Sequence, residues 1–308
     1  MLGHVTDPNA PDGLDRRALP DPEPGPHETL VAVRAYAINR GELSLLEQRA
    51  DGWLPGQDVA GEVLAPAPDG SGPPAGARVV GPADGGGWSG RVAIPSHRLA
   101  VLPDAVSFAD AAALPVTGLT ALRALRTGGP LLGRRVLVTG ATGGVGSFAV
   151  QLAAASGAHV TALVSSEQRV EVARALGAHD VRTSLEGAES FHLVLDGVGG
   201  PVLADAIHHL ARAGTVAAYG VAGGEPQTPL AFFDFARGGG QLGRLIAFFI
   251  YATGEETFGE DLAVLAGLVA DGRLRVEKGV QREWGETQEA VQALRGRQVT
   301  GKVVLTVG

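Results

Sequence analysis

Short apolar stretches separated by glycine and proline fill the first third of the chain, up to about Ala111. Leu30-Val31-Ala32-Val33 and Val59-Ala60-Gly61-Glu62-Val63 read as brief strands, while Pro66 to Gly76 and Gly81 to Gly90 read as turn chemistry. This rhythm predicts an irregular all-β unit. From about Ala112 to Leu245 the pattern changes, and apolar five-residue runs alternate with helical periodicity. Arg135–Thr139 leads to a helix from Gly146 to Ser156, then to a strand at His159–Val164 and a helix at Glu167–Leu176. Phe191–Leu195, a helix over Leu203–Ala211 and a strand over Thr215–Tyr219 repeat the unit. Buried-looking strands alternating with helices predict a doubly wound parallel sheet covered on both faces. From about Ile246 the chain predicts a helix at Asp261–Ala270, another at Glu286–Leu294, and a closing strand at Lys302–Val307.

Composition narrows the class of protein. The 308 residues are 45% hydrophobic and 19% charged, which suits a globular chain of about two domains. A net charge of −8 with no basic patch argues against nucleic acid as a partner. The absence of cysteine removes disulfides, thiol catalysis and thiolate metal sites. The longest near-continuous apolar stretch, Leu245–Ala252, is far below the ~20 residues of a membrane span. Met1 to Ala10 has neither a basic start nor an apolar run, so the expected location is cytoplasmic, without a membrane.

The most informative segment is Val136 to Gly146, where a strand runs into a glycine-rich turn and then a helix. Its small residues fall as Ala141-x-Gly143-x-x-Gly146, with Gly140, Gly144 and Val145 completing the turn. Small residues at this spacing let backbone N–H groups approach a pyrophosphate and let helix and strand pack closely. About twenty residues on, a NAD site needs an acid for the ribose 2′-hydroxyl. This chain offers Ser165, Ser166 and Arg169, hydroxyls and a guanidinium that suit a 2′-phosphate, although Glu167 stands among them. NADPH is therefore the expected cofactor. The turn also satisfies the short-chain dehydrogenase pattern, but that family carries Tyr-x-x-x-Lys. Tyr36, Tyr219 and Tyr251 are followed at the fourth position by Arg40, Gly223 and Glu255.

Five further segments accompany this turn. They are Ala37-Ile38-Asn39-Arg40-Gly41-Glu42, Pro55-Gly56-Gln57-Asp58-Val59-Ala60-Gly61, Leu114 to Leu122, Val194-Leu195-Asp196-Gly197-Val198-Gly199-Gly200 and Gly301-Lys302-Val303-Val304-Leu305. Together they resemble the medium-chain dehydrogenase/reductase superfamily, in its zinc-free, zeta-crystallin-like quinone oxidoreductase and enoyl reductase group, over almost the whole chain. The resemblance implies a GroES-like β domain from residues 1–111, completed by a return segment 246–308, with a Rossmann domain at 112–245. It places Asn39, Thr117 and Thr120 near the nicotinamide, with Gly197, Val198, Tyr219 and Gly220 lining its other side. Lys302 joins the cofactor-binding set. For the two threonines, capping or local backbone bonding is an equally good reading.

Zinc-dependent relatives place a Cys where Asn39 stands and a His where Gln57 stands, and nothing near Ala113 supplies a third ligand. Amides are poor substitutes for thiolate and imidazole, so no metal is expected. His208 and His209 have no acid or histidine four residues ahead and read as ordinary histidines. Without a Lewis acid, hydride addition to a conjugated carbonyl is easier than alcohol oxidation. A quinone or α,β-unsaturated carbonyl is the expected substrate, planar and apolar, walled by Trp53, Trp88, Phe248 and Phe249. Asn39, Glu42 and Ser44 are the candidate catalytic residues. Many relatives carry a Tyr where Ser44 stands, and Ser44 has no evident base to tune it. The alternative is an NADPH binder without redox turnover. The apolar segment Leu230–Tyr251, with Phe232, Phe233, Phe235, Ile246, Phe248, Phe249 and Ile250, predicts an edge paired across a homodimer axis.

Overall fold

The computed structural model describes residues 1–231, 233–297 and 299–308, so Phe232 of the apolar segment lies outside the described residues. The chain divides into two compact units, Met1–Leu119 with Gly254–Gly308, and Thr120–Thr253.

The first unit opens with a hairpin of β1 (Leu2–Thr6) and β2 (Leu14–Ala18). Next come the long strand β3 (Glu28–Ile38) and helix α1 (Arg40–Gln48). Strands β4 (Asp58–Ala65), β5 (Arg78–Pro82), β6 (Arg91–Pro95) and β7 (Ala100–Val101) follow, then helices α2 (Phe108–Ala112) and α3 (Pro115–Arg126). β3 alternates along its first half and is buried on both faces from Ala35 to Ile38, where a helix layer covers it.

The second unit is the parallel sheet. Strand β8 (Arg135–Thr139) feeds helix α4 (Gly144–Ala155), β9 (His159–Leu163) feeds α5 (Val170–Ala175), and the short β10 (Asp180–Arg182) follows. Strand β11 (Phe191–Asp196), helix α6 (Gly200–His208), β12 (Leu210–Ala218), the short α7 (Asp234–Arg237) and β13 (Arg244–Ala247) complete it. The strand order is β10-β9-β8-β11-β12-β13, with every pairing parallel. This is the expected doubly wound Rossmann arrangement, whose order reverses between β8 and β11.

The return segment supplies α8 (Phe258–Ala270), β14 (Lys278–Glu283), α9 (Thr287–Arg295) and β15 (Lys302–Thr306). β15 pairs antiparallel with β3 and parallel with β14, giving a sheet ordered β14-β15-β3-β4-β5-β7 with β6 on β3. The mixed sheet closes the GroES-like unit around Val31, Tyr36, Val59, Trp88, Val291 and Leu305.

Three expectations are corrected. The unit boundaries lie at Leu119/Thr120 and Thr253/Gly254 rather than at 111/112 and 245/246. α2 packs on β3 and β4, and a Cβ on Gly118 would stand 3.0 Å from Leu265, so both stay with the first unit. At the other boundary, Arg123 donates to the Thr253 carbonyl over 3.0 Å, and β13 extends the parallel sheet. Leu210 and Ala211 belong to β12 rather than to the preceding helix, which ends at His208. Trp88 is no wall for a substrate: it is fully buried and stacks on Tyr36 at 5.9 Å. Among the described residues no helix is long and apolar enough to cross a membrane.

Candidate functional site

The conspicuous polar group of the first unit is a buried cluster of four side chains. Asn39 sits at the amino end of α1, Glu42 in its first turn, Asp58 at the start of β4 and Lys302 at the start of β15. The β3–β15 register sets Val303 opposite Ile38, which delivers Lys302 beside Asn39. The Lys302 Nζ donates to Asn39 Oδ1 over 2.6 Å and to Asp58 Oδ2 over 3.0 Å. Asn39 Nδ2 donates to Glu42 Oε2 over 3.2 Å and to Asp58 Oδ2 over 3.0 Å. Backbone N–H groups complete the shell. Asn39 and Gln57 donate to Glu42 over 2.8 Å and 2.9 Å, and Val116 at the start of α3 donates to Asp58 over 2.8 Å. Glu42 and Asp58 are fully buried, Lys302 is 2% exposed and Asn39 7%. Burial, then the nearby Asp58 charge, pushes the Glu42 carboxyl up to about 8, against the pull of its N–H donors and Lys302.

Several expected site residues are bonded within the first unit. Both amide hydrogens of Asn39 are taken by carboxylates and its oxygen by the ammonium, so the side chain is a strut rather than a free contact. Lys302 likewise donates to Asn39 and Asp58 inside the unit. Ser44 lies on the exposed face of α1. Thr117 donates to the Ala113 carbonyl over 2.7 Å, the local backbone bond, and Thr120 is buried.

Nor do these residues suit a zinc ion. The oxygens of Asn39 and Asp58 already surround an ammonium, and neither a thiolate nor an imidazole is among them. Among the described residues no group of three His, Asp or Glu side chains is placed to hold a metal. The two helix histidines do have acidic neighbours, though neither stands four residues ahead of its histidine. His209 Nε2 lies 3.9 Å from Asp205, which precedes it by one turn, and His208 Nε2 lies 3.2 Å from Asp234.

In the second unit the predicted cofactor residues gather along the carboxyl edge of the parallel sheet. The glycine turn follows β8, Ser165 and Ser166 follow β9, Gly197 and Val198 follow β11, and Tyr219 and Gly220 follow β12. α4 starts at Gly144, two residues earlier than expected, so the N–H groups of Gly144 and Val145 belong to its unpaired first turn. Gly146 is fixed by contact: a Cβ there would stand 2.3 Å from the Gly140 carbonyl oxygen and 2.8 Å from Ala141 Cα. The turn is thus a shallow, side-chain-free cradle at a helix amino end, suited to phosphate oxygens.

Arg169 reaches back to this cradle, its Nη1 donating to Thr142 Oγ1 over 3.0 Å. Glu167 instead turns toward Thr183, 3.4 Å away, and leaves the guanidinium as the charge beside the turn. Under the other half of the edge, Thr139 Oγ1 donates to Asp196 Oδ1 over 2.6 Å, and the Gly199 N–H donates to Asp196 Oδ2 over 2.9 Å. Burial raises the Asp196 carboxyl while these donors hold it down. Asp196 stood in the Val194–Gly200 motif without a role, and the structure shows it anchoring the Gly197–Gly199 loop. Val198 closes over the glycine turn, where its Cγ2 would lie 3.3 Å from a Cβ on Gly140.

The chain is similar to several known proteins. A family model described as zinc-binding dehydrogenase matches residues 144–266. A mycocerosic acid synthase-like polyketide synthase of Mycolicibacterium smegmatis is 30% identical over 307 residues, 92% of this chain and 14% of that protein. The chloroplast envelope quinone oxidoreductase homolog of Arabidopsis thaliana is 37% identical over 185 residues, 55% of this chain and 56% of the relative. The chain therefore spans 14% and 56% of these curated relatives. A mycobacterial protein solved in complex with NADPH is similar with a TM-score of 0.88 at 26% identity, covering 99% of this chain and 100% of that one.

Proposed function

Because the chain belongs to the medium-chain dehydrogenase/reductase superfamily, in its quinone oxidoreductase and enoyl reductase group, we propose that it is an NADPH-dependent reductase. Its acceptor is a quinone or an α,β-unsaturated carbonyl, and it works without zinc. The observation that carries this reading is the glycine cradle at the amino end of α4 with Arg169 bonded to it through Thr142.

The cofactor supplies a hydride from its nicotinamide ring when bound. The first-turn N–H groups of Gly144 and Val145 hold the pyrophosphate, and Arg169 with Ser165 and Ser166 holds the 2′-phosphate. Gly197, Val198, Tyr219 and Gly220 line the half of the edge left for the ring. The Asn39–Glu42–Asp58–Lys302 cluster acts one step back: it ties α1, β4, β15 and the start of α3 into one rigid corner. Water supplies the proton, since Glu42 is sealed with N–H donors on both oxygens and Ser44 lies on the exposed face of α1. Lys302 supplies the fixed positive charge of its corner, so the proposed chemistry relies on placement of hydride donor and acceptor rather than on a Lewis acid.

The shortage of a free acid also favours a second reading, an NADPH-binding protein with no redox turnover. Following NADPH consumption with a panel of quinones and enones separates the two. Turnover with at least one acceptor supports the reductase, whereas tight NADPH binding with no consumption by any of them supports the binder.

A further inference from the structure

Tyr219 is the one phenol of the chain that stands on the carboxyl edge of the parallel sheet with its hydroxyl unpaired. Tyr36 is fully buried and bonded to Thr287 over 2.6 Å, and the hydroxyl of Tyr251 is buried. Tyr219 is half-buried, and among the described residues its hydroxyl has no hydrogen-bond partner. Its place is tightly specified. Its backbone N–H donates to the Asp196 carbonyl over 2.8 Å, and Ala222 N–H donates to Gly197 over 2.9 Å. A Cβ on Gly197 would stand 2.5 Å from Tyr219 Cε2 and 3.0 Å from its hydroxyl oxygen. The ring therefore lies directly over Gly197, whose missing side chain makes the room.

The edge has two halves. Arg169, Ser165 and Ser166 mark one side of the glycine turn as the 2′-phosphate side, so a dinucleotide drawn across the strand-order reversal puts its other half over the ends of β11 and β12. Gly197 and Tyr219 stand there. A hydride acceptor at that place turns its carbonyl or quinone oxygen into an oxyanion, and an oriented donor at that oxygen lowers the barrier.

We propose that the Tyr219 hydroxyl is the hydrogen-bond donor to the acceptor oxygen that gains negative charge, a role that rests on the reductase reading above. Burial and the neighbouring Asp196 charge raise the phenol, which keeps the hydroxyl protonated and suits it to donating a hydrogen bond rather than releasing a proton. The hydroxyl's lack of a protein partner makes Tyr219→Phe a mild change for the fold.

The test uses 4-nitrophenolate as a planar oxyanion, titrated into NADP⁺-saturated protein and followed by its absorbance. Tyr219→Phe should bind NADPH within about twofold of the wild type while losing about tenfold in phenolate affinity. Its turnover with quinones or enones should fall by about tenfold or more. Unchanged phenolate affinity, loss of NADPH affinity in step, or no phenolate binding by the wild type would each overturn the role. A wild-type protein that binds both ligands but reduces no acceptor, with the phenolate loss still seen in the variant, would sink the reductase reading and leave the donor standing.

Discussion

Lys302 and Asn39 hold each other: the ammonium donates to the amide oxygen over 2.6 Å across 263 residues of chain. The two side chains form the centre of a buried cluster with two acids, Glu42 and Asp58. Removing the cation alone leaves Asp58 buried with an uncompensated charge. Lys302→Met should therefore cost roughly 3–5 kcal/mol in denaturant unfolding at neutral pH. A loss below about 1 kcal/mol would contradict the pairing. Metal analysis of the purified protein should find no stoichiometric zinc, since Lys302 supplies the positive charge in that corner.

Glu42 gives the cluster a pH signature. Its carboxyl is near 4.5 when solvated and is raised to about 8 in the fold, so between those values the folded state binds the extra proton. Stability from this group is present at low pH and declines as pH rises through that window. Unfolding midpoints measured from pH 5 to about 9 should show the decline, and Glu42→Gln should flatten it. A Gln variant with the wild-type slope would show that Glu42 is not the titrating group.

Arg169 should decide between the two nicotinamide cofactors. Arg169→Ala is expected to weaken NADPH by about tenfold, the loss of one charge-assisted contact, and to leave NADH nearly unchanged. Binding titrations followed by cofactor fluorescence measure both. Equal weakening would mean that the guanidinium serves only the Thr142 turn.

Much of this was legible in advance, and what was not follows from distance along the chain. The parallel strands β8, β9 and β11 announce themselves as five- and six-residue apolar runs, because strands buried on both faces show no alternation. The start of β12 was hidden. Ala213 adopts φ 58° and the β11–β12 register shifts between Phe191 and Leu193, so Leu210 and Ala211 lack a strand signature. Asn39, Glu42, Asp58 and Lys302 were each visible as motif residues, but their mutual contacts depend on the β3–β15 register, which no local pattern encodes.

Gly146 offers a test of the turn itself. Gly146→Ala drives a methyl into the Gly140 carbonyl, which should cost about 1–3 kcal/mol of stability and abolish tight NADPH binding. Thermal unfolding and cofactor titration report the two effects separately. Retention of both would mean that the turn relaxes freely.

The edge of the parallel sheet carries the oligomer prediction. β13 is its outermost strand, with Leu245 42% exposed, and Leu242 and Phe249 beside it are about 70% exposed. Light scattering at micromolar concentration should give a homodimer, and Leu245→Lys should give a monomer, because a lysine on an edge strand opposes edge pairing. A monomeric wild type would reject the prediction.

The closing strand has a consequence for how the chain is made. β3 leaves the ribosome before residues 120–253, yet its partner β15 is synthesised only after them. The parallel unit is continuous in sequence and can fold as soon as it is out, while the earlier unit waits with a long, apolar β3 lacking one neighbour. Nascent chains stalled before residue 302 should therefore protect the second unit from protease first. Residues 1–119 are where a nascent-chain chaperone is most needed.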